Sequence, residues 1–111
     1  ALRAFAPDLL LISAGFDGAA GDIGNSKLDG QEKYHGGLDL QPTDFEWATE
    51  QLLAVAAVCC PGRVVSVLEG GYGAYEFSKT SATGWTISRT QLAENVASHL
   101  GALAGVNPRP P

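Results

Sequence analysis

Two short apolar runs stand out along the chain, each preceded by residues that form turns. They cover residues 9–13, written LLLIS, and residues 63–68, written RVVSVL. An unbroken apolar run of this length, bounded by turn residues, is typical of a strand buried on both faces of a parallel sheet. The pattern therefore predicts two strands, each covered on both sides.

Two longer segments, residues 43–59 and 88–104, carry apolar residues at spacings of three and four, which predicts amphipathic helices. The stripes are Phe45, Ala48, Leu52, Ala56 and Cys59 in the first helix, and Leu92, Val96, Leu100 and Leu103 in the second. Thr43 with Glu46 and Ser88 with Gln91 can form capping boxes of the S/T-x-x-E/Q type. Pro42 also suits a first-turn position, so the start of the first helix is open by a residue or two. Gly105 is the expected stop of the second helix.

The element order is strand, loop, helix, strand, loop, helix, with residues 18–40 and 74–87 read as irregular. This alternation predicts an α/β fold with a parallel sheet. Two parallel strands leave both sheet edges open, and the chain starts at Ala1 and contains no methionine. We therefore expect residues 1–105 to be part of a larger domain and residues 106–111 to be a loose, proline-rich tail.

Composition narrows the class of protein. The chain has 111 residues, of which 45% are hydrophobic and 17% charged, which is typical of a folded globular protein. Its net charge of −5 argues against direct nucleic-acid binding, and no apolar run approaches the ~20 residues of a membrane span. Trp47 and Trp85 are expected to pack in the protein, and the adjacent Cys59 and Cys60 to be buried without binding metal.

Candidate chemistry follows each strand. Ligands of open α/β sheets bind beyond the carboxyl ends of the strands. Asp17 follows the first strand between glycines, and Tyr72 follows the second strand directly after Gly70 and Gly71. A carboxylate and a phenol at one sheet edge suggest a metal or acid group beside a hydrogen-bond donor.

These residues carry a resemblance to a known family. Three segments resemble, in this order, the C-terminal part of a histone deacetylase domain. They are SAGFD at residues 13–17, Gly21-Asp22, and VVSVLEGGY at residues 64–72. The segment LAENVASHL at residues 92–100 is similar to the closing helix of that family. The likeness is greater to the class II-like and bacterial amidohydrolase branches of the arginase-deacetylase superfamily.

The resemblance implies the three-layer, parallel-sheet arginase-deacetylase fold, with only its C-terminal β-α-β-α portion present. It implies that Asp17 is a ligand of a catalytic Zn²⁺ and that Tyr72 stabilises the oxyanion formed from the scissile carbonyl. It also implies that Gly70 and Gly71 line the narrow channel for an acyl-lysine side chain. The remaining zinc ligands are expected outside this sequence.

The chain departs from the family pattern at several places. The upstream D-x-H motif and tandem histidine pair are absent, so we expect the isolated chain to be inactive. Its two histidines, His35 and His99, are expected to be a solvated loop residue and a packed helix residue. Ile23 stands where the family has proline, after an Asp22 that we expect to structure its loop. Residues 25–35 and 75–87 are expected to be surface insertions.

The resemblance favours hydrolysis of the acetyl-lysine amide of histones or other proteins, in the nucleus and/or cytoplasm. Two alternatives on the same fold stay open: a deacylase of small amides such as acetylpolyamines, and a non-catalytic truncated remnant. A nucleotide-binding loop at residues 70–73 is disfavoured because the G-x-G-x-x-G pattern is absent and no helix follows at once.

Overall fold

The computed structural model describes residues 1–25, 27–28, 34–35 and 37–107. Its elements are α1 (Leu2–Phe5), β1 (Leu10–Ala14), β2 (Lys27–Leu28), β3 (Tyr34–His35), α2 (Pro42–Cys59), β4 (Val64–Leu68), β5 (Ala74–Phe77), β6 (Trp85–Ser88) and α3 (Thr90–Ala104). The predicted strand-helix-strand-helix series is present as β1, α2, β4 and α3. The α/β class is therefore confirmed.

β1 and β4 pair in parallel, in a register that runs from Leu10 opposite Val64 to Ala14 opposite Leu68. The branched and apolar side chains of both segments suit a pleated sheet. Because the two strands run in the same direction, their carboxyl ends lie at one edge of the sheet. The turns that carry Asp17 and Tyr72 both start from this edge.

One face of the β1–β4 pair is covered by helices and the other is not. Leu10 packs with Ala56 and Cys60 of the α2 end, and these three residues are buried. On the opposite face, Leu11 and Val65 are 65% and 48% exposed. The prediction of strands covered on both sides is thus wrong for the described residues, because α2 and α3 both pack on the same face.

The helix starts lie within two residues of the predicted positions, with Pro42 in the first turn of α2, but the capping residues differ. α2 begins at Pro42 with Gln41 as its N-cap, and Asp44 Oδ2 accepts a hydrogen bond from the Gln41 N–H at 2.8 Å. α3 begins at Thr90, since Ser88 is the last residue of β6. Both predicted capping boxes are therefore wrong.

The helix ends agree better with the sequence. Gly105, with φ at +71°, ends α3 as predicted, because this left-handed conformation favours glycine. Beyond it, the Asn107 side chain donates to the Ser98 carbonyl at 2.8 Å. Residues 108–111 of the predicted tail lie outside the described residues. No helix in the described ranges is long and apolar enough to cross a membrane.

Residues 74–88 form an antiparallel hairpin where the sequence analysis expected an irregular stretch. β5 and β6 pair from Ala74 opposite Ser88 to Phe77 opposite Trp85, and the last two rings meet edge to face at 6.2 Å. The aromatic and β-branched alternation in AYEF and WTIS was the available signal. Trp85 therefore packs as expected, against Phe77, although it is 56% exposed. Trp47 is 64% exposed, so the expectation that it packs in the protein is wrong for the described residues.

The other predicted insertion, residues 25–35, lies mostly outside the described residues. Its two described segments, β2 and β3, pair antiparallel, with Lys27 opposite His35 and Leu28 opposite Tyr34. The expectation that the His35 side chain is solvated also falls outside the described part of the chain.

His99 is a buried polar link between α3, α2 and β4. Its Nδ1 lies 2.8 Å from Thr49 Oγ1, and its Nε2 lies 2.7 Å from Ser66 Oγ. Thr49 Oγ1 donates to the Phe45 carbonyl at 2.6 Å, so it accepts from Nδ1–H. Nε2 is then the acceptor for the Ser66 hydroxyl. The prediction of a packed histidine is confirmed.

This link adds polar residues to the buried face of α3. The buried residues include Asn95, His99 and Ala102, and the predicted stripe residues Leu92, Val96 and Leu103 are half-buried, whereas Leu100 is 46% exposed. Hydropathy alone does not predict the burial of His99, because its ring is polar. Its burial becomes favourable only when Thr49 and Ser66 satisfy both ring nitrogens.

The stability of the protein is expected to fall in mild acid. Burial lowers the pKa of His99 below 6.5, so the unfolded state binds more protons as the pH falls below that value. The contribution of the neutral, buried His99 to stability is therefore fully present well above pH 6.5 and is lost as the pH falls below it. Chemical unfolding at about pH 7.5 and 5.5 measures the loss. In His99→Gln the loss should be smaller, and an equal loss in both proteins contradicts the prediction.

Candidate functional site

Hydrogen bonding between β1 and β4 continues into the turns beyond the two strands. The Glu69 N–H donates to the Ala14 carbonyl at 2.9 Å, and the Phe16 N–H donates to the Gly70 carbonyl at 2.6 Å. These bonds fix the two turns side by side. The turn before Asp17 is thus attached to the turn before Tyr72.

Phe16 fastens this edge to the protein core. Its side chain is 2% exposed, and its ring centre lies 5.0 Å from that of Phe45 and 5.7 Å from that of His99. Burial of a phenylalanine side chain contributes about 1.5–3 kcal/mol to stability. The next residue, Asp17, is consequently held at a defined point on the sheet edge, where it is half-buried.

The Asp17 carboxylate lies against the glycine backbones of both turns. A Cβ on Gly70 would lie 2.9 Å from Asp17 Oδ1, and a Cβ on Gly15 would lie 3.2 Å from the same oxygen. Only glycine leaves the first of these spaces free. The Gly70 position in the second motif therefore permits the Asp17 carboxylate to occupy its place.

Tyr72 is 53% exposed and lies between two glycines with positive φ, Gly71 at +135° and Gly73 at +87°. A Cβ on Gly71 would lie 2.7 Å from Leu92 Cδ1 and 3.1 Å from Phe16 Cβ. The backbone of this turn thus packs closely on the core. Its phenol remains accessible to solvent.

A third segment, residues 22–24, joins the first two. The Asp22 carboxylate accepts the Gly24 N–H through Oδ1 at 2.9 Å, and the N–H groups of Tyr72 and Gly73 through Oδ2 at 2.9 and 3.0 Å. The Ile23 N–H donates to the Gly73 carbonyl at 2.8 Å. The prediction that Asp22 structures its loop is confirmed.

Gly24 lies between the two candidate functional side chains. A Cβ on Gly24 would be 2.8 Å from Asp17 Cβ and 3.3 Å from Tyr72 Cδ2. Asp17 and Tyr72 are therefore neighbours at one site, as their positions after the two strands predicted. Sequence reasoning missed Gly24, although D-x-G is an available signal for a turn closed by the Asp22 side chain.

Among the described residues, the site offers the Asp17 carboxylate, which can bind a metal ion, beside the Tyr72 phenol, which can donate a hydrogen bond. Within the described ranges, no group of three or more His, Cys, Asp or Glu side chains is arranged to hold a metal ion. A catalytic zinc site has three protein ligands as a rule. Asp17 is suited to be one of them, but the described residues do not complete such a site.

Comparison with protein-family models gives a match to the histone deacetylase domain over residues 1–87. This range includes β1, α2, β4 and the segments that carry Asp17, Asp22 and Tyr72.

Curated relatives give a consistent result. The chain is 38% identical over 102 residues to "Type-2 histone deacetylase 2" of Dictyostelium discoideum, covering 92% of this chain and 5% of the relative. It is 32% identical over 97 residues to "Histone deacetylase 15" of Arabidopsis thaliana, covering 87% of this chain and 14% of the relative. The chain thus spans only a small part of the length of these relatives.

Substitution of Gly70 by alanine is expected to displace the Asp17 carboxylate without unfolding the protein. The φ of Gly70 is not in the positive region, and the atoms that its Cβ would meet belong to the end of the Asp17 side chain. A crystal structure of Gly70→Ala should show a rotated carboxylate. Gly18→Ala is the control, because a Cβ there makes ordinary contacts at 3.5 and 3.6 Å to Leu38 and Leu40. An unmoved Asp17 in Gly70→Ala would contradict the expectation.

Proposed function

Because the chain belongs to the histone deacetylase domain family, we propose that it forms part of a zinc-dependent amidohydrolase that removes acetyl groups from lysine side chains. The family assignment confirms the resemblance noted in the two strand-end motifs. It also implies the arginase-deacetylase fold, of which β1, α2, β4 and α3 are one portion.

The observation that carries the proposal is the convergence of Asp17 and Tyr72 on Gly24. One side chain supplies an anionic oxygen suited to a metal ion, and the other supplies a neutral O–H donor that is half exposed. A hydrolase that acts on an amide needs both an electrophilic activator and a donor for the developing oxyanion. These two groups start from neighbouring turns that hydrogen bonds hold together.

Asp17 is proposed to be one ligand of the zinc ion, with the remaining ligands outside this sequence. When bound, zinc would supply the Lewis acidity that polarises the scissile carbonyl. The role of this chain is to hold the carboxylate of Asp17 in a fixed orientation. The buried Phe16 ring fixes the backbone next to it, and the backbones of Gly15 and Gly70 limit where the oxygens can lie.

Tyr72 is proposed to donate its phenolic proton in a hydrogen bond to the carbonyl oxygen as negative charge develops there. Such a donor stabilises the transition state more than the ground state, because the charge on the oxygen grows along the reaction. Its backbone is held by the hydrogen bond from its N–H to Asp22. The backbone from which the phenol extends is therefore already in place before the reaction.

Gly70 and Gly71 are proposed to line the channel that admits the acyl-lysine side chain. The Cβ direction of Gly71 is towards Leu92 and Phe16, so it is the backbone of Gly71 that would face the substrate. Absence of a side chain at Gly70 leaves room for the Asp17 carboxylate beside this backbone.

The proposed substrates are acetylated lysines of histones or other proteins, with action in the nucleus and/or cytoplasm. Acetylated lysine peptides and acetylpolyamines, assayed with the same purified protein, separate this proposal from a deacylase of small amides. Faster turnover of the peptides is the expected result, and turnover of the polyamines alone would replace the proposed substrate class.

Asp17→Ala in the full protein is expected to remove bound zinc and to reduce the rate of deacetylation by more than ~10²-fold. Loss of a residue that only hydrogen-bonds a metal ligand typically costs ~10–100-fold, so loss of the ligand itself should exceed that range. Zinc content by elemental analysis and turnover of an acetyl-lysine peptide are the measurements. Asp8→Ala is the control, since Asp8 is exposed and precedes β1. Wild-type zinc content and activity in Asp17→Ala would reject the proposed role.

Tyr72→Phe is expected to reduce kcat by ~10²–10³-fold while zinc content stays at the wild-type level, because one oxyanion donor is lost and no ligand is touched. Tyr75→Phe makes the same chemical change on the exposed hairpin and should leave kcat unaltered. Equal kcat values for Tyr72→Phe and the wild type would rule out the oxyanion role.

A further inference from the structure

Asp22 is a buried carboxylate, only 6% exposed. It accepts three hydrogen bonds from backbone N–H groups on two separate segments. Oδ1 accepts a hydrogen bond from the Gly24 N–H on its own turn. Oδ2 accepts hydrogen bonds from the N–H groups of Tyr72 and Gly73, which lie 50 and 51 residues further along the chain. One buried carboxylate thus connects the segment after β1 with the segment after β4.

The backbone of the Tyr72 turn packs on the core at Gly71, whereas the tyrosine side chain is 53% exposed and is not fixed by packing. Because glycines flank Tyr72 on both sides, hydrogen bonds are needed to select one backbone conformation of the turn. Two of these restraints come from the 22–24 segment: the Asp22 carboxylate and the bond from the Ile23 N–H to the Gly73 carbonyl. The backbone position from which the phenol extends consequently depends on Asp22.

The same carboxylate also fixes the neighbour that Asp17 and Tyr72 share. Gly24, whose N–H is bound to Asp22 Oδ1, lies beside both side chains, since a Cβ on it would be 2.8 Å from Asp17 Cβ and 3.3 Å from Tyr72 Cδ2. Asp17 therefore limits a shift of Gly24 in one direction, and the Tyr72 ring limits a shift in the other. Asp22 therefore controls the spacing between the proposed metal ligand and the proposed oxyanion donor.

We propose that Asp22 is a positioning residue for catalysis, which acts through Tyr72 by holding the phenol at the correct distance from Asp17. This inference rests on the proposed function of Tyr72. Asp22 touches neither substrate nor metal in this role. By ordering the tyrosine before the reaction, Asp22 lowers the free energy needed to reach the transition state. Misplacement of a catalytic group by about 1 Å can reduce the rate by about 10²-fold.

A carboxylate is required for this arrangement. Two oxygens must accept three N–H donors, and an asparagine has only one acceptor oxygen. If the amide oxygen introduced by Asp22→Asn faces Tyr72 and Gly73, the new NH₂ group faces the Gly24 N–H, and two donors oppose each other. The opposite orientation loses the two bonds to the tyrosine turn. Asp22→Asn thus keeps the shape of the side chain but breaks either the bond to Gly24 or the two bonds to the tyrosine turn.

The test is a double-mutant cycle in the full protein, with kcat and KM measured on an acetylated lysine peptide. Asp22→Asn should reduce kcat by about tenfold or more, with KM and zinc content near the wild-type values. In the Tyr72→Phe background the same substitution should change kcat less than about twofold, because the donor that it positions is already absent. An equal loss of kcat in both backgrounds, or no loss in either, would overturn the proposal.

The matched control is Asp44→Asn. Asp44 also accepts a backbone N–H, that of Gln41 at the start of α2, and the change in charge is the same. It should leave kcat unchanged. A failure of the proposed function is recognised separately, since Tyr72→Phe alone would then retain full activity.

Thermal unfolding accompanies the kinetics. If Asp22→Asn does not fold, Asp22→Ser provides the same cycle with a smaller side chain that still accepts one hydrogen bond. Failure of both variants to fold would count against the proposal, because Asp22 would then serve the stability of the whole protein rather than the placement of Tyr72.

Discussion

The extension of the β1–β4 hydrogen bonding into the turns beyond both strands is the constraint on which the site depends. The bond from the Phe16 N–H to the Gly70 carbonyl joins the two turns, and burial of the Phe16 ring joins them to the helices. Parallel strands make this possible, because both carboxyl ends lie at one edge. Asp17 and Tyr72, which are 55 residues apart in the sequence numbering, become neighbours as a result.

Two buried polar side chains then determine how precisely the edge is built. His99 connects α3 to α2 and β4 and packs against the ring of Phe16, while Asp22 connects the turn after β1 to the turn after β4. Each is buried with partners for its polar atoms. Removal of one partner would leave a buried group unsatisfied, at a cost of about 1–3 kcal/mol. The geometry of the site is thus specified by polar contacts as well as by apolar packing.

The surface features agree with the proposal that other residues complete the site. Leu11, Val65 and Val67 leave an apolar sheet face without a covering layer in the described part of the chain. The carboxylate of Asp17 is a single donor where a zinc ion requires several. The chain covers 5% and 14% of the lengths of its Dictyostelium and Arabidopsis relatives. The exposed sheet face requires a second covering layer, and a zinc site at the sheet edge requires further ligands.

The features that depend on neighbouring residues could be predicted from the amino-acid sequence: the two apolar strands, the helices between and after them, the stop at Gly105 and the order of the two motifs with Asp17 and Tyr72. The N-caps and the β5–β6 hairpin are also local, but their sequence signals are weak and the prediction missed them. The burial of His99 and the role of Gly24 could not be predicted, because they depend on partners distant in the chain. Whether His99 is buried depends on Thr49 and Ser66, and whether the Tyr72 backbone is held in place depends on Asp22. Such contacts follow from the folded arrangement, because a polar side chain is stable inside a protein only where folding brings its hydrogen-bond partners to it.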